Sequence, residues 1–100
     1  MILILVSFES EEDVEKAAEY LIDNHLAACV EVYPVKNYYM WKGEKIAAKE
    51  FSAVIKTEDG YFEKVKEALE KILPYEIPQL IKLEATANEK YLEWVKESVS

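Results

Sequence analysis

The first six residues are apolar without a break, and only Ser7 interrupts the run before Phe8. Ile2, Ile4, Val6 and Phe8 point one way and Leu3 and Leu5 the other, so Met1 to Phe8 reads as a strand with two apolar faces. Such a strand must be covered on both sides. Ser10, followed three residues later by Asp13, gives a helix start, and Val14, Ala17, Ala18, Leu21 and Ile22 recur at helical spacing, predicting a helix over 10–25. From Ala27 to Trp41 the chain is rich in Val and Tyr, with Pro34 inside the run. Lys42-Gly43-Glu44 supplies a turn, and Lys45 to Thr57 resumes extended character. A second helical pattern over 60–72 places Tyr61, Phe62, Val65, Ala68, Leu69 and Ile72 on one face and stops at Pro74. Ile77 to Glu84 reads as a strand with Pro78 near its start, and Asn88 caps a terminal helix carrying Tyr91, Leu92, Trp94, Val95 and Val99.

The order is β-α-β-β-α-β with a final helix: an α+β, ferredoxin-like plan in which both main helices lie on one sheet face. The other face of the first strand is then bare in a monomer. The hairpin poses a second problem. Arms of this length, at about 3.4 Å per residue, overshoot the first strand by roughly a factor of two. A free ribbon bearing Tyr38, Tyr39, Met40 and Trp41 invites self-association. A closed oligomer, with sheets packed face to face and hairpins embracing neighbours, answers both.

Length and composition narrow the function. The chain of 100 residues makes a single domain, 1–100, and with 51% hydrophobic and 32% charged residues it is not a disordered chain. Twenty carboxylates against twelve cations, all of them Lys, give a net charge of −8, which excludes a nucleic-acid partner. The longest apolar run, Met1 to Val6, is far below the roughly 20 residues of a membrane span, so no membrane partner and a cytoplasmic location are expected. Glu and Lys far outnumber Asn and Gln, a bias of thermophilic proteins.

Cys29 is the single cysteine and makes no internal disulfide; its thiol suits Cu(I), but a buried strand Cys is the commoner use. His25, at the predicted end of the first helix, is placed to cap it, and no second His is present to share a metal. A turn at Lys42-Gly43 sets Lys56 opposite Cys29. Lys56 with Tyr75 and Glu76 is the main candidate ligand-binding set, joined by Glu31 and Trp41. A Lys and a Glu near a Tyr hydroxyl can fix a small anionic or carbonyl-bearing metabolite or act in acid–base chemistry. The same residues can instead form an ion pair holding the Pro-Tyr turn, and spacing leaves both readings open. Tyr38, Tyr39, Trp41 and Trp94 can stack on a ligand or pack at an interface. The acidic run Glu9, Glu11, Glu12 and Asp13 reads as a solvated helix start.

Taken in order, Leu26-Ala27-Ala28-Cys29-Val30, Tyr39-Met40-Trp41-Lys42-Gly43-Glu44-Lys45, Ile55-Lys56-Thr57, Pro74-Tyr75-Glu76-Ile77-Pro78 and Tyr91-Leu92-Glu93-Trp94 resemble the CutA family of divalent-cation tolerance proteins across essentially the whole chain. The resemblance implies a ferredoxin-like protomer, a homotrimer, cytoplasmic location in microbes, an association with copper or other divalent cations, and likeness to PII-type signalling proteins that bind small ligands between protomers. It also implies a metal site built from a Cys near the end of the first strand and His residues before the Pro-Tyr pair. Here those positions hold Val6, Ile72 and Leu73, and Glu31 stands where an Asn is frequent. The expectation is a non-catalytic trimeric binding or regulatory module linked to metal tolerance and requiring no cofactor. An enzyme using Lys56 and Glu76, and a scaffold for another protein, are the alternatives.

Overall fold

A computed structural model describes all 100 residues. Its elements are β1 (Ile2–Phe8), α1 (Glu11–Asp23), β2 (Cys29–Trp41), β3 (Glu44–Thr57), α2 (Phe62–Ile72), β4 (Ile81–Glu84) and α3 (Glu89–Val99). They form one antiparallel sheet in the order β2-β3-β1-β4, the ferredoxin-like arrangement with an added C-terminal helix. No helix is long and apolar enough to cross a membrane.

The core follows from the period of β1. Ile2, Ile4, Val6 and Phe8 are all buried, and with Ala53 and Ile55 of β3 they meet Val14, Ala17 and Leu21 of α1 and Val65, Ala68 and Leu69 of α2. Each large apolar side chain so buried contributes about 1.5–3 kcal/mol. The opposite face of the strand is only half-covered at Leu3 and Leu5, and the β4 residues opposite them, Leu83 and Ile81, are 44% and 47% exposed. The bare apolar face expected from the sequence is present in the folded chain.

Several boundaries move, each for a local reason. Helix α1 ends at Asp23, because Asn24 caps it and donates through Nδ2 to the Tyr20 carbonyl at 2.8 Å, while His25 takes a left-handed φ of +55°. His25 thus occupies the position that Gly usually fills after a helix, and its ring donates from Nδ1 to the Ser98 carbonyl at 3.3 Å. It ties α1 to α3 and is not the last-turn cap expected. Helix α2 starts at Phe62, after Gly60 at φ +86°. The strand expected over 77–84 shrinks to Ile81–Glu84, since β4 pairs only with Ile2 to Leu5 and the segment holding Pro74 and Pro78 runs outside the ladder. Asn88 stands at the start of α3, but its side chain makes no capping hydrogen bond.

The hairpin is as long as its sequence predicts. Lys42 at φ +50° and Gly43 at φ +83° make the two-residue turn that matches strand twist, and the register runs unbroken from Trp41↔Glu44 to Cys29↔Lys56. Because β1 reaches β3 only from Phe51 to Thr57, the outer half of the ribbon extends beyond the domain, and the molecule is 45 Å along its longest axis. Tyr38 and Met40 remain 68% and 65% exposed on it.

Thr57 is the single buried polar residue, and its hydroxyl donates to the Leu26 carbonyl at 2.8 Å, pinning the loop before β2 to the end of β3. Thr57→Val should cost about 1–2 kcal/mol, because the acceptor loses its donor inside the fold. Urea unfolding at fixed protein concentration would measure this, with Thr57→Ser as the hydroxyl-retaining control; equal midpoints for all three proteins would refute it.

Candidate functional site

Where the ribbon leaves the domain, it encloses a cleft of about 760 Å³ with the end of β1 and the 74–79 segment. The floor is organised by Tyr75. Its hydroxyl donates to Asp13 Oδ2 at 2.5 Å and accepts from the Glu9 backbone N–H at 2.8 Å, so the segment after α2 is fastened to the start of α1. Burial, followed by the hydrogen bond to Asp13, pushes the phenol above its ordinary range. Ser7 donates to Gln79 Oε1 at 3.2 Å and extends the same seam. On the ribbon side, Asn37 Nδ2 donates to Glu50 Oε1 at 2.6 Å. The Tyr39 phenol is raised by partial burial and by the carboxylates of Glu50 and Glu9. At the mouth, Lys42 Nζ lies 5.5 Å from the Trp41 ring centroid and 3.9 Å from Glu76 Oε2.

Lys56 lies elsewhere. It pairs in register with Leu3, whereas Tyr75 meets Glu9, six residues and about 20 Å further along extended chain. Its ammonium donates to Glu31, which also accepts from the Tyr33 hydroxyl, and it sits 5.7 Å from the Tyr91 ring centroid. Glu31, Tyr33 and Cys29 share one side of β2 by strand alternation, and Cys29 is opposite Lys56. The hydrogen bonds from Lys56 and then Tyr33 hold the Glu31 carboxyl below its ordinary value, and the bond to Glu31 raises Lys56.

The expected set is therefore divided within the protomer. Tyr75, Glu76 and Trp41 line the cleft; Lys56, Glu31 and Cys29 form a separate corner. The ion pair expected between Lys56 and Glu76 is replaced by two others, Lys56–Glu31 and Lys42–Glu76, because the ribbon brings its own turn, not its base, to the Pro-Tyr segment. Trp94 is outside the cleft as well and packs on Tyr91, with ring centroids 5.4 Å apart. Sequence reasoning missed Glu9, Glu50 and Asn37 as cleft groups and Asp13 as the partner of Tyr75. Only Tyr33 carried a usable signal, its two-residue spacing from Glu31 on a strand.

A metal fits poorly. Val6 and Leu73 are buried in the core and Ile72 packs against it, so the positions where the family resemblance implies ligands supply packing. No three His, Cys, Asp or Glu side chains converge anywhere in the fold.

Two outcomes follow from this geometry. Tyr75→Phe should lose about 1–3 kcal/mol of stability, because Asp13 and the Glu9 N–H lose one shared partner; an unchanged unfolding midpoint would show that water replaces the hydroxyl without cost. Since the folded Glu31 carboxyl lies below 4.5, its stabilising effect is complete above that pH and disappears as pH falls through the folded value. The stability gap between the wild-type protein and Glu31→Gln should thus shrink from pH 7 to pH 3, and a constant gap would refute the pairing.

Comparison with known proteins finds matches both in sequence and in backbone. Residues 2–98 match the family model described as CutA1 divalent ion tolerance protein. The divalent-cation tolerance protein CutA of Thermus thermophilus is 34% identical over 98 residues, covering 96% of this chain and 95% of the relative. Among solved structures, the protein from Archaeoglobus fulgidus named as a periplasmic divalent cation tolerance protein CutA superposes with a TM-score of 0.95 at 29% identity, covering all of both chains. The PII-like protein CutA from Nostoc, in its apo form, gives 0.92 at 29% identity, covering 100% of this chain and 98% of the other. Sequence match over nearly every residue and a shared backbone together show that this chain belongs to the CutA1 divalent ion tolerance family.

Proposed function

We propose that the protein is a homotrimeric, non-catalytic binding module that serves divalent-metal tolerance by sensing a small ligand rather than by sequestering metal. The observation that carries this reading is the preformed cleft floored by Tyr75, whose polar groups already have partners. Three polar side chains that could do chemistry are also committed. Tyr75 uses its hydroxyl as donor and acceptor at once, Lys56 is kept charged by Glu31, and His25 serves the α1–α3 contact. Tyr75 and Lys56, both raised above their ordinary pKa ranges, are not poised as bases near neutral pH. The PII-like description of the Nostoc relative supports a signalling use.

Assembly is supported by the bare face of Leu3, Leu5, Val54, Ile81 and Leu83 and by the exposed Tyr38 and Met40 of the ribbon. The family resemblance supplies the number three. The unpaired thiol of Cys29 accords with a cytoplasmic site of action, which the periplasmic description of the Archaeoglobus relative makes worth testing by fractionation.

Sedimentation equilibrium should return about three times the chain mass of 11.6 kDa, and a monomer at micromolar concentration would overturn the assembly. A thermal-shift survey of charged and neutral metabolites should find at least one that raises the melting temperature. A ligand specific for the native state at a hundred times its Kd stabilises by about 2.7 kcal/mol. A survey in which nothing shifts would favour the scaffold reading.

Copper affinity should be confined to Cu(I) at Cys29 and vanish in Cys29→Ser, with Zn(II) and Cu(II) titrations near background. A tight stoichiometric complex that survives this substitution would refute the claim that tolerance is indirect.

A further inference from the structure

Charge on the ribbon divides by face. On the side of the sheet that carries the helices, strand alternation continues from Ala53 and Phe51 of β3 to Lys49, Ala47 and Lys45, and the register sets these opposite Lys36, Tyr38 and Met40 of β2. All of these ribbon residues beyond Phe51 are exposed, and none is acidic. Lys36 and Lys49 stand directly opposite each other, with Lys45 nearer the tip, and Lys36 Nζ lies 5.3 Å from the Tyr38 ring centroid. Like charges so placed repel across the ladder. None of the three lysines joins an ion pair of its own chain, whose pairs use other groups. In a protein of net charge −8, this face is a cationic strip without a counter-charge.

The complementary surface lies at the same end of the molecule. The ribbon leaves β1 at the pair Phe8↔Phe51, and immediately after Phe8 the chain turns into α1. Residues 9–15 carry five carboxylates and no cation. Asp13 is taken by Tyr75, whereas Glu11, Glu12 and Glu15 are exposed and enter no ion pair. Glu15 is three and four residues from the other two, so all three share the outer side of the start of α1. Other carboxylates near the ribbon are engaged, Glu76 by Lys42 and Glu50 by Asn37. In a ring, rotation keeps every element at its own height along the axis. An overhanging ribbon therefore meets the end of its neighbour from which that neighbour's ribbon also leaves.

We infer that the ribbon face bearing Lys36, Lys45 and Lys49 docks on Glu11, Glu12 and Glu15 of a second copy, with Tyr38 and Met40, the most exposed aromatic and aliphatic side chains of the ribbon, at the centre of the contact. The contact rests on the proposed homotrimer and adds its direction. Each copy gives a ribbon and receives one, the head-to-tail arrangement that closes a ring. Single exposed ion pairs are weak, but a row of cations against a row of carboxylates selects partner and orientation. Such a contact is sensitive to salt, since exposed charges are screened over about 10 Å at 0.1 M ionic strength.

The test follows assembly of the full chain by sedimentation velocity along a urea series, at about 20 mM and about 500 mM NaCl. Lys36→Glu/Lys49→Glu should raise the trimer dissociation constant at least about tenfold at low salt, with a smaller effect at high salt. Glu11→Lys/Glu12→Lys should do the same. Joining both pairs of substitutions in one chain should restore assembly, because the reversed ribbon again meets opposite charge on the next copy; damage to protomer folding would accumulate instead. Lysine reversals that leave dissociation unchanged at low salt would overturn the docking and show the lysines to be solvated protection of the ribbon. Weakening without rescue in the combined variant would overturn α1 as the receiving surface. A wild-type chain that sediments as a monomer without urea would remove the homotrimer itself, a result distinct from a trimer indifferent to these charges.

Discussion

Strand β1 has a polar backbone group to satisfy on each edge and an apolar side chain to cover on each face, and the rest of the fold is arranged around those four demands. β3 and β4 take the edges, with β3 paired along the full strand and β4 along its first half. Helices α1 and α2 take one face, where Ile2, Ile4, Val6 and Phe8 are almost wholly removed from water. The remaining face has no cover within the chain. At about 25 cal/mol per Å² of apolar surface, leaving it wet forfeits stabilisation that another copy can supply.

The shortness of β1 creates the cleft. After Phe8 the ladder has no partner to offer β3, so the ribbon continues alone and the space beside it is closed by the segment that follows α2. Pro74 and Pro78 keep that segment out of regular pairing, and Tyr75 replaces ladder hydrogen bonds with two of its own. The same two prolines that shorten β4 therefore shape the cleft floor. Part of the support for the overhanging ribbon comes from its own chain, through Lys42 and Glu76, and only the outward Tyr38 and Met40 call for a neighbour.

Charge is distributed unevenly over these features. The corner at the base of the ribbon balances Lys56 with Glu31 and Tyr33, forming a closed hydrogen-bonded group at the edge of the open face. The cleft concentrates carboxylates and ring faces, with the Lys42 ammonium at its mouth and Lys36 Nζ 5.3 Å from the Tyr38 ring centroid. The Tyr75 hydroxyl on the cleft floor is held above its ordinary pKa range by burial and by Asp13.

The amino-acid sequence by itself determined the element order, the two-faced β1, the Ser10 helix start and the hairpin register that sets Cys29 opposite Lys56. These are local matters: a period of two, a capping side chain, and a two-residue turn that fixes every later pair by counting. Family membership was legible for a related reason, since short stretches in a fixed order survive without knowledge of their contacts. The tertiary structure alone decided which groups share a site. Tyr75 meets Asp13 and Glu9 across 62 and 66 residues of chain, and Glu76 takes Lys42 in place of Lys56. Those contacts depend on the path of the irregular 74–79 segment, which has no repeating period to read and is set by packing against the end of β1 and the ribbon.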